Sequence, residues 1–81
     1  MGKAGNSPDA RIRFMIEVFI NGVAEKLAAP ISIAGLLAAR GLTDKRVAVE
    51  RNGEIVPKGR HHETALATGD KVEIVVAVGG G

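Results

Sequence analysis

The 81-residue chain carries eleven Lys and Arg against nine Asp and Glu, a formal charge of +2, and 46% of its residues are apolar. It contains no cysteine, which excludes disulfide staples and any thiol acting as nucleophile, metal ligand or sulfur acceptor. At this length one small domain is expected, burying only about 60% of the surface its unfolded chain exposes, and no apolar run is long enough to span a bilayer.

The positive charge is concentrated at one end. Lys3, Arg11 and Arg13, with the single acid Asp9, all precede Phe14. The remainder carries eight residues of each sign and is neutral, weak ground for nucleic-acid binding. The only aromatics are Phe14 and Phe19, too few for a base-stacking platform. Residues 1–13 are polar and rich in small residues, and read as a disordered leader or an expression scar. They lack the apolar centre of a signal peptide, so a cytoplasmic protein with neither membrane nor nucleic acid as partner is the default expectation.

From Phe14 to Ile20 the apolar residues Ile16, Val18 and Ile20 fall on one face, the alternation of a strand, with Glu17 and Phe19 on the other. Asn21-Gly22 is a strong hairpin signal, because both positions tolerate positive φ, and Val23 to Leu27 is the predicted returning strand. A short helix follows. Ser32 is placed to cap it, Ile31 and Leu36 to staple its start, and Ile33, Leu36 and Leu37 to form its apolar face. Gly41 suits the left-handed position past its end, with Leu42 closing back on Leu37.

Arg46 to Arg51 reads as a third strand, with Val47 and Val49 inward. Asn52-Gly53 is a second turn, and Glu54-Ile55-Val56 a brief strand ended by Pro57. Lys58 to Thr68 is irregular, with Leu66 as the expected plug into the core. Gly69-Asp70 turns the chain into the last strand, where Val72, Ile74, Val76 and Val78 share a face and Val75 and Ala77 lie on the other. Such a near-continuous apolar run suits a central strand. One sheet on one helix, an α+β arrangement, buries both apolar faces. The domain is expected over residues 14–78, and Gly79-Gly80-Gly81 forms a flexible glycine tail.

From Phe14 to Gly81 the chain resembles the thiamin-biosynthesis sulfur carriers, the ThiS family of ubiquitin-like β-grasp proteins. The resemblance rests on Val18-Phe19-Ile20-Asn21-Gly22, on Ile33-Ala34-Gly35-Leu36-Leu37, on the segment from Val47 to Pro57, on Gly69 to Val75, and on the terminal Gly80-Gly81. The resemblance lies in the order and spacing of these pieces taken together. The superfamily also holds the molybdopterin-synthase small subunit, whose members commonly show a proline pair before the glycines. Ala77-Val78-Gly79 stands there in this chain. Carriers for cysteine synthesis or tRNA thiolation share the terminus, as do ubiquitin-like modifiers joined to target lysines.

The resemblance implies a β-grasp fold, with one mixed sheet of four to five strands packed on one helix. It implies a carrier and not an enzyme, with no bound cofactor. A ThiF-like adenylyltransferase would use ATP to adenylate the Gly81 carboxylate. A sulfur-donating enzyme of the cysteine desulfurase type would then supply the sulfur for a thiocarboxylate on Gly81, and thiazole synthase would consume it. Gly79 and Gly80 would thread the partner's active site, since glycine lets a backbone approach closely.

Three other features carry weaker readings. Phe19, Ala48 and Val75 all fall on the outward face of the sheet and are expected to form an apolar docking patch beside the tail. Arg51, Lys58 and Arg60 read as a solvated rim that tunes association with acidic surfaces. His61-His62 lacks the cysteine or carboxylate cluster a metal site needs and reads as solvated loop.

Overall fold

A computed structural model describes residues 14–77. The strands are β1 (Phe14–Ile20), β2 (Val23–Ala29), β3 (Val47–Arg51), β4 (Glu54–Ile55) and β5 (Lys71–Val76). One helix, α1 (Ile33–Ala39), follows β2, and a 3-10 turn covers Lys58–Arg60. The strands form one five-stranded sheet in the order β2-β1-β5-β3-β4. β1 and β5 run parallel, and every other neighbouring pair is antiparallel. This is the β-grasp arrangement, with the last strand at the centre as its apolar run indicated.

Local chemistry sets the turns. Asn21 and Gly22 have φ of 52° and 85°, and Asn52 and Gly53 have 53° and 87°. Both Asn-Gly pairs thus take the paired left-handed conformation that matches the twist of a two-residue hairpin. β2 runs two residues past the expected Leu27, because Phe14 and Met15 find backbone partners in Ala29 and Ala28. Val56 falls just outside β4, yet its N–H still donates to the Val49 carbonyl at 2.9 Å.

The helix has only seven residues, too few to be stable alone, so both ends are tied down. Ser32 Oγ accepts the Gly35 N–H at 3.0 Å. The Ile33 N–H donates to Thr64 O at 3.0 Å and the Ala34 N–H to His61 O at 2.9 Å. The first-turn amides, which a helix cannot satisfy internally, are therefore met by the cap and by the irregular segment after β4. At the other end Gly41 has φ of 74°. Its N–H reaches Ala38 O at 3.0 Å and the Leu42 N–H reaches Leu37 O at 2.8 Å, the double bond of a Schellman cap.

The core lies between α1 and the inner face of the sheet. Ile16, Val18, Ile20, Val49, Val72 and Ile74 line the sheet side, facing Ile33, Leu36 and Leu37 of the helix. Leu66 plugs the open end as expected: it is buried, and its N–H donates to Ile31 O at 2.9 Å. Each such side chain contributes about 1.5–3 kcal/mol by leaving water. The only helix among the described residues covers one face of the sheet, and the opposite face of β5, with Lys71, Glu73 and Val75, stays exposed.

Candidate functional site

The glycines Gly79, Gly80 and Gly81, together with Val78, lie outside the described residues, as does the 1–13 leader. The structure describes the strand that leads to them and the surface around its end.

β5 is held along both edges. On the β3 side it pairs from Arg51↔Val72 to Val47↔Val76, and the Ala77 N–H donates to Arg46 O at 2.9 Å. On the β1 side backbone pairing covers only Phe19↔Lys71 and Ile20↔Val72, because β1 turns away at Asn21. There the side chain of Asn21 takes over. Its Oδ1 accepts the Ile74 N–H at 2.8 Å and its Nδ2 donates to Ile74 O at 3.2 Å.

The start of β5 is pinned by a second asparagine and a buried acid. Asn52 Oδ1 accepts the Lys71 N–H at 2.9 Å. Asp70, only 7% exposed, accepts from Asn52 Nδ2 at 3.1 Å, from the Ala67 N–H at 2.9 Å and from Arg51 Nη1 at 3.3 Å. A buried carboxylate with three donors is satisfied in place, and the cluster reads as an anchor. Arg51 therefore departs from the solvated rim expected of it. Its charge is drawn inward because it is the cation beside Asp70. Arg60 pairs with Glu63 at 3.3 Å on the surface, a contact of little energetic weight, and Lys58 is exposed.

The outward face brings two of the three expected docking residues together. Ala48 and Val75 are register partners on β3 and β5, and Val75 is 64% exposed. Phe19 shares that face and is 37% exposed, but it sits opposite Lys71. Lys71 is four residues back along β5, about 13 Å at the rise of a strand. Glu73 lies between, itself the register partner of Glu50. The patch at the tail end of the sheet is therefore Ala48 and Val75, with Phe19 at the opposite end of β5. Two-residue alternation identifies a shared face, but the offset depends on where the crossover sets β1 against β5.

The two histidines separate. His62 is exposed, as expected of a loop residue, whereas His61 is 6% exposed. The reading of His61 as solvated is corrected by its packing: its imidazole Nε2 lies 3.0 Å from Val56 O, and its own carbonyl accepts the Ala34 N–H. A carbonyl can only accept, so Nε2 carries the proton. His61 thus joins the residue after β4, the following turn and the helix. No group of three or more potential metal ligands occurs among the described residues, and no helix among them is long and apolar enough to cross a membrane.

Sequence reasoning read Asn21 and Asn52 only as turn formers. Their side-chain roles had no separate signal, since an asparagine that makes a turn and one that also bridges to a distant strand look alike in the chain. It also missed a groove formed where Leu42–Val47 meets Lys58–His62, two loops brought together only by the fold.

Fold and surface define a small ubiquitin-like β-grasp domain whose last described strand is the central one of the sheet. A model of the ThiS family matches residues 18–81, a span that includes the glycines. The chain belongs to the ThiS family.

Among curated proteins it is 52% identical over 50 residues to the sulfur carrier protein ThiS of Bacillus subtilis, covering 62% of this chain and 76% of that protein. It is 42% identical over 66 residues to a thiazole synthase of Paramagnetospirillum magneticum, covering 82% of this chain. The chain spans only 20% of that enzyme's length. The crystal structure of the thiamine biosynthesis protein ThiS from Geobacter metallireducens superposes with a TM-score of 0.69 at 29% identity, covering 82% of this chain and all of that one.

Proposed function

We propose that this domain is a sulfur carrier for the thiazole moiety of thiamin, acting as a carried substrate and not as a catalyst. The observation that carries the reading is the family match through Gly81, on a fold whose central strand runs into those glycines. The named carrier from Bacillus subtilis supports it, as does the stretch of similar sequence within a thiazole synthase.

A carboxylate is a poor electrophile. Attack of the Gly81 carboxylate on the α-phosphorus of ATP, on a ThiF-like adenylyltransferase, forms an acyl adenylate and releases pyrophosphate. Hydrosulfide, freed from the persulfide of a cysteine desulfurase type enzyme by a thiol reductant, then forms the C–S bond as the acyl C–O bond to AMP breaks. The thiocarboxylate is the sulfur donor to thiazole synthase. Within this chain β5 fixes the root of the tail, Gly79 and Gly80 supply slender reach, and Gly81 supplies the carbonyl that reacts. Ala48 and Val75 form the apolar ground beside the tail root on which each partner sits.

Intact mass spectrometry after incubation with ATP, sulfide and the adenylating enzyme tests this. The expected product gains the mass of one oxygen exchanged for sulfur, and deletion of Gly81 abolishes the gain while leaving the fold intact. Retained sulfur uptake in the deletion would refute the terminal-carboxylate reading, and larger conjugates in place of the sulfur product would mark a protein modifier.

A further inference from the structure

A half-open groove of about 320 Å³ lies between the end of α1, the start of β3 and the turn after β4. Leu37, Leu42 and Val47 form its apolar floor. Lys45, Arg46 and Lys58 stand on its rim, and no carboxylate lines it. The acid nearest in sequence on the turn side, Glu63, is taken by Arg60. Lys45, Arg46 and Lys58 make no ion pair among the described residues, and exposed Asp44 is the one carboxylate in the 42–47 loop, so the cations outnumber it above an apolar floor that is costly to leave facing water.

His61 also belongs to this groove. It is more than nine-tenths buried. Its Nε2–H is already engaged by Val56 O at 3.0 Å, and its Nδ1 makes no hydrogen bond among the described residues. With Nε2 protonated this nitrogen is an acceptor, so it offers nothing to a phosphate dianion and the cations alone face the anion.

We propose that this groove binds a small phosphate monoester carrying an apolar or planar organic group. A phosphate dianion matches a fork-shaped arginine and two flanking ammonium groups, and the organic part covers Leu37, Leu42 and Val47. The volume is at the lower end of the roughly 300–1,000 Å³ range of small-molecule sites, which are mainly apolar with a few converging polar groups. Inorganic phosphate alone leaves the floor wet, and a neutral apolar molecule leaves the cations unmatched. The site lies beside the root of the tail, since Arg46 O holds the Ala77 N–H at 2.9 Å. It stands on side chains separate from the terminal carboxylate and does not depend on the sulfur-carrier reading.

The test is a titration of the ¹⁵N-labelled full chain with phenyl phosphate at fixed ionic strength, followed by amide chemical shifts, with inorganic phosphate and phenol as parallel arms. Saturable shifts confined to Leu37, Leu42, Lys45 to Val47 and Lys58 to His62 are expected. Each parallel arm binds at least about tenfold more weakly, and the double variant Lys45→Gln/Lys58→Gln loses about tenfold in affinity for phenyl phosphate. Both lysines are exposed, so the variant keeps its fold, which its own spectrum verifies. Shifts that do not saturate, shifts scattered over distant basic residues, an affinity unchanged in the double variant, or either parallel arm binding as well as phenyl phosphate would each overturn the proposal.

Discussion

The side-chain amide of Asn21 grips the backbone of Ile74 at both polar atoms, accepting its N–H at 2.8 Å and donating to its carbonyl at 3.2 Å. Where β1 leaves the sheet, one side chain thus supplies the two hydrogen bonds that another strand residue would have made. Asn21→Gly keeps the positive φ of the turn but removes both bonds. It is expected to cost about 1–3 kcal/mol in urea unfolding, the range for leaving buried polar groups unmet. Hydrogen exchange at the Ile74 amide should accelerate more than at Val49. Unchanged exchange at Ile74 would mean that the clamp contributes nothing.

Adjacent histidines give a contrast that needs no reference to function. His61→Ala strands the Val56 carbonyl and opens space beside the helix, and is expected to destabilise by about 2–3 kcal/mol. His62→Ala, at an exposed position, should stay within about 0.5 kcal/mol of the parent. Thermal or chemical unfolding of the two variants side by side checks this, and equal losses would contradict the placement of His61.

The outward face predicts an asymmetry between two apolar residues. Val75→Asp should weaken binding to the adenylating enzyme by about tenfold or more, because it places a charge at the centre of the proposed apolar contact. Phe19→Ser should have the smaller effect, being at the other end of β5. Neither should change stability by more than about 1 kcal/mol, since both side chains are exposed. Calorimetric titration of each variant with the enzyme is the measurement, and a larger loss for Phe19→Ser would move the docking surface to the β1 end of the sheet.

Gly80→Val tests steric reach separately from the reacting group. The variant keeps the Gly81 carboxylate but adds a branched side chain where, on the proposed function, a partner's channel takes bare backbone. The expected outcome is unchanged unfolding with adenylation reduced at least about a hundredfold, a barrier increase of about 2.7 kcal/mol. Pyrophosphate release reads the rate, and a rate equal to the parent's would show that the channel does not select for glycine there.

The features legible in the chain were those decided by neighbours in sequence. Both Asn-Gly turns, the Ser32 cap, the Gly41 terminus and the central rank of β5 follow from φ preference, capping chemistry and an apolar run, and all are present. The features that escaped depend on distant segments meeting. Asp70 is indistinguishable from a turn residue until Arg51 and Asn52 arrive beside it. His61 is polar in the chain and buried in the fold because the segment after β4 closes over the start of α1. The shared face of Phe19 and Val75 was readable from alternation, while their separation was not, because a parallel pair takes its offset from the whole crossover between β1 and β5.

The strand order has a mechanical consequence. The hairpins β1-β2 and β3-β4 are not neighbours in the sheet and are joined through β5. A pull on the chain beyond Ala77, directed along the strand, loads the seams with β1 and β3 in shear. Their hydrogen bonds, with the asparagine clamps at Ile74 and Lys71, then share the force together, whereas an edge strand peeled from its end would give way one bond at a time. A domain built in this way yields to a pull on its end only when both seams give way together.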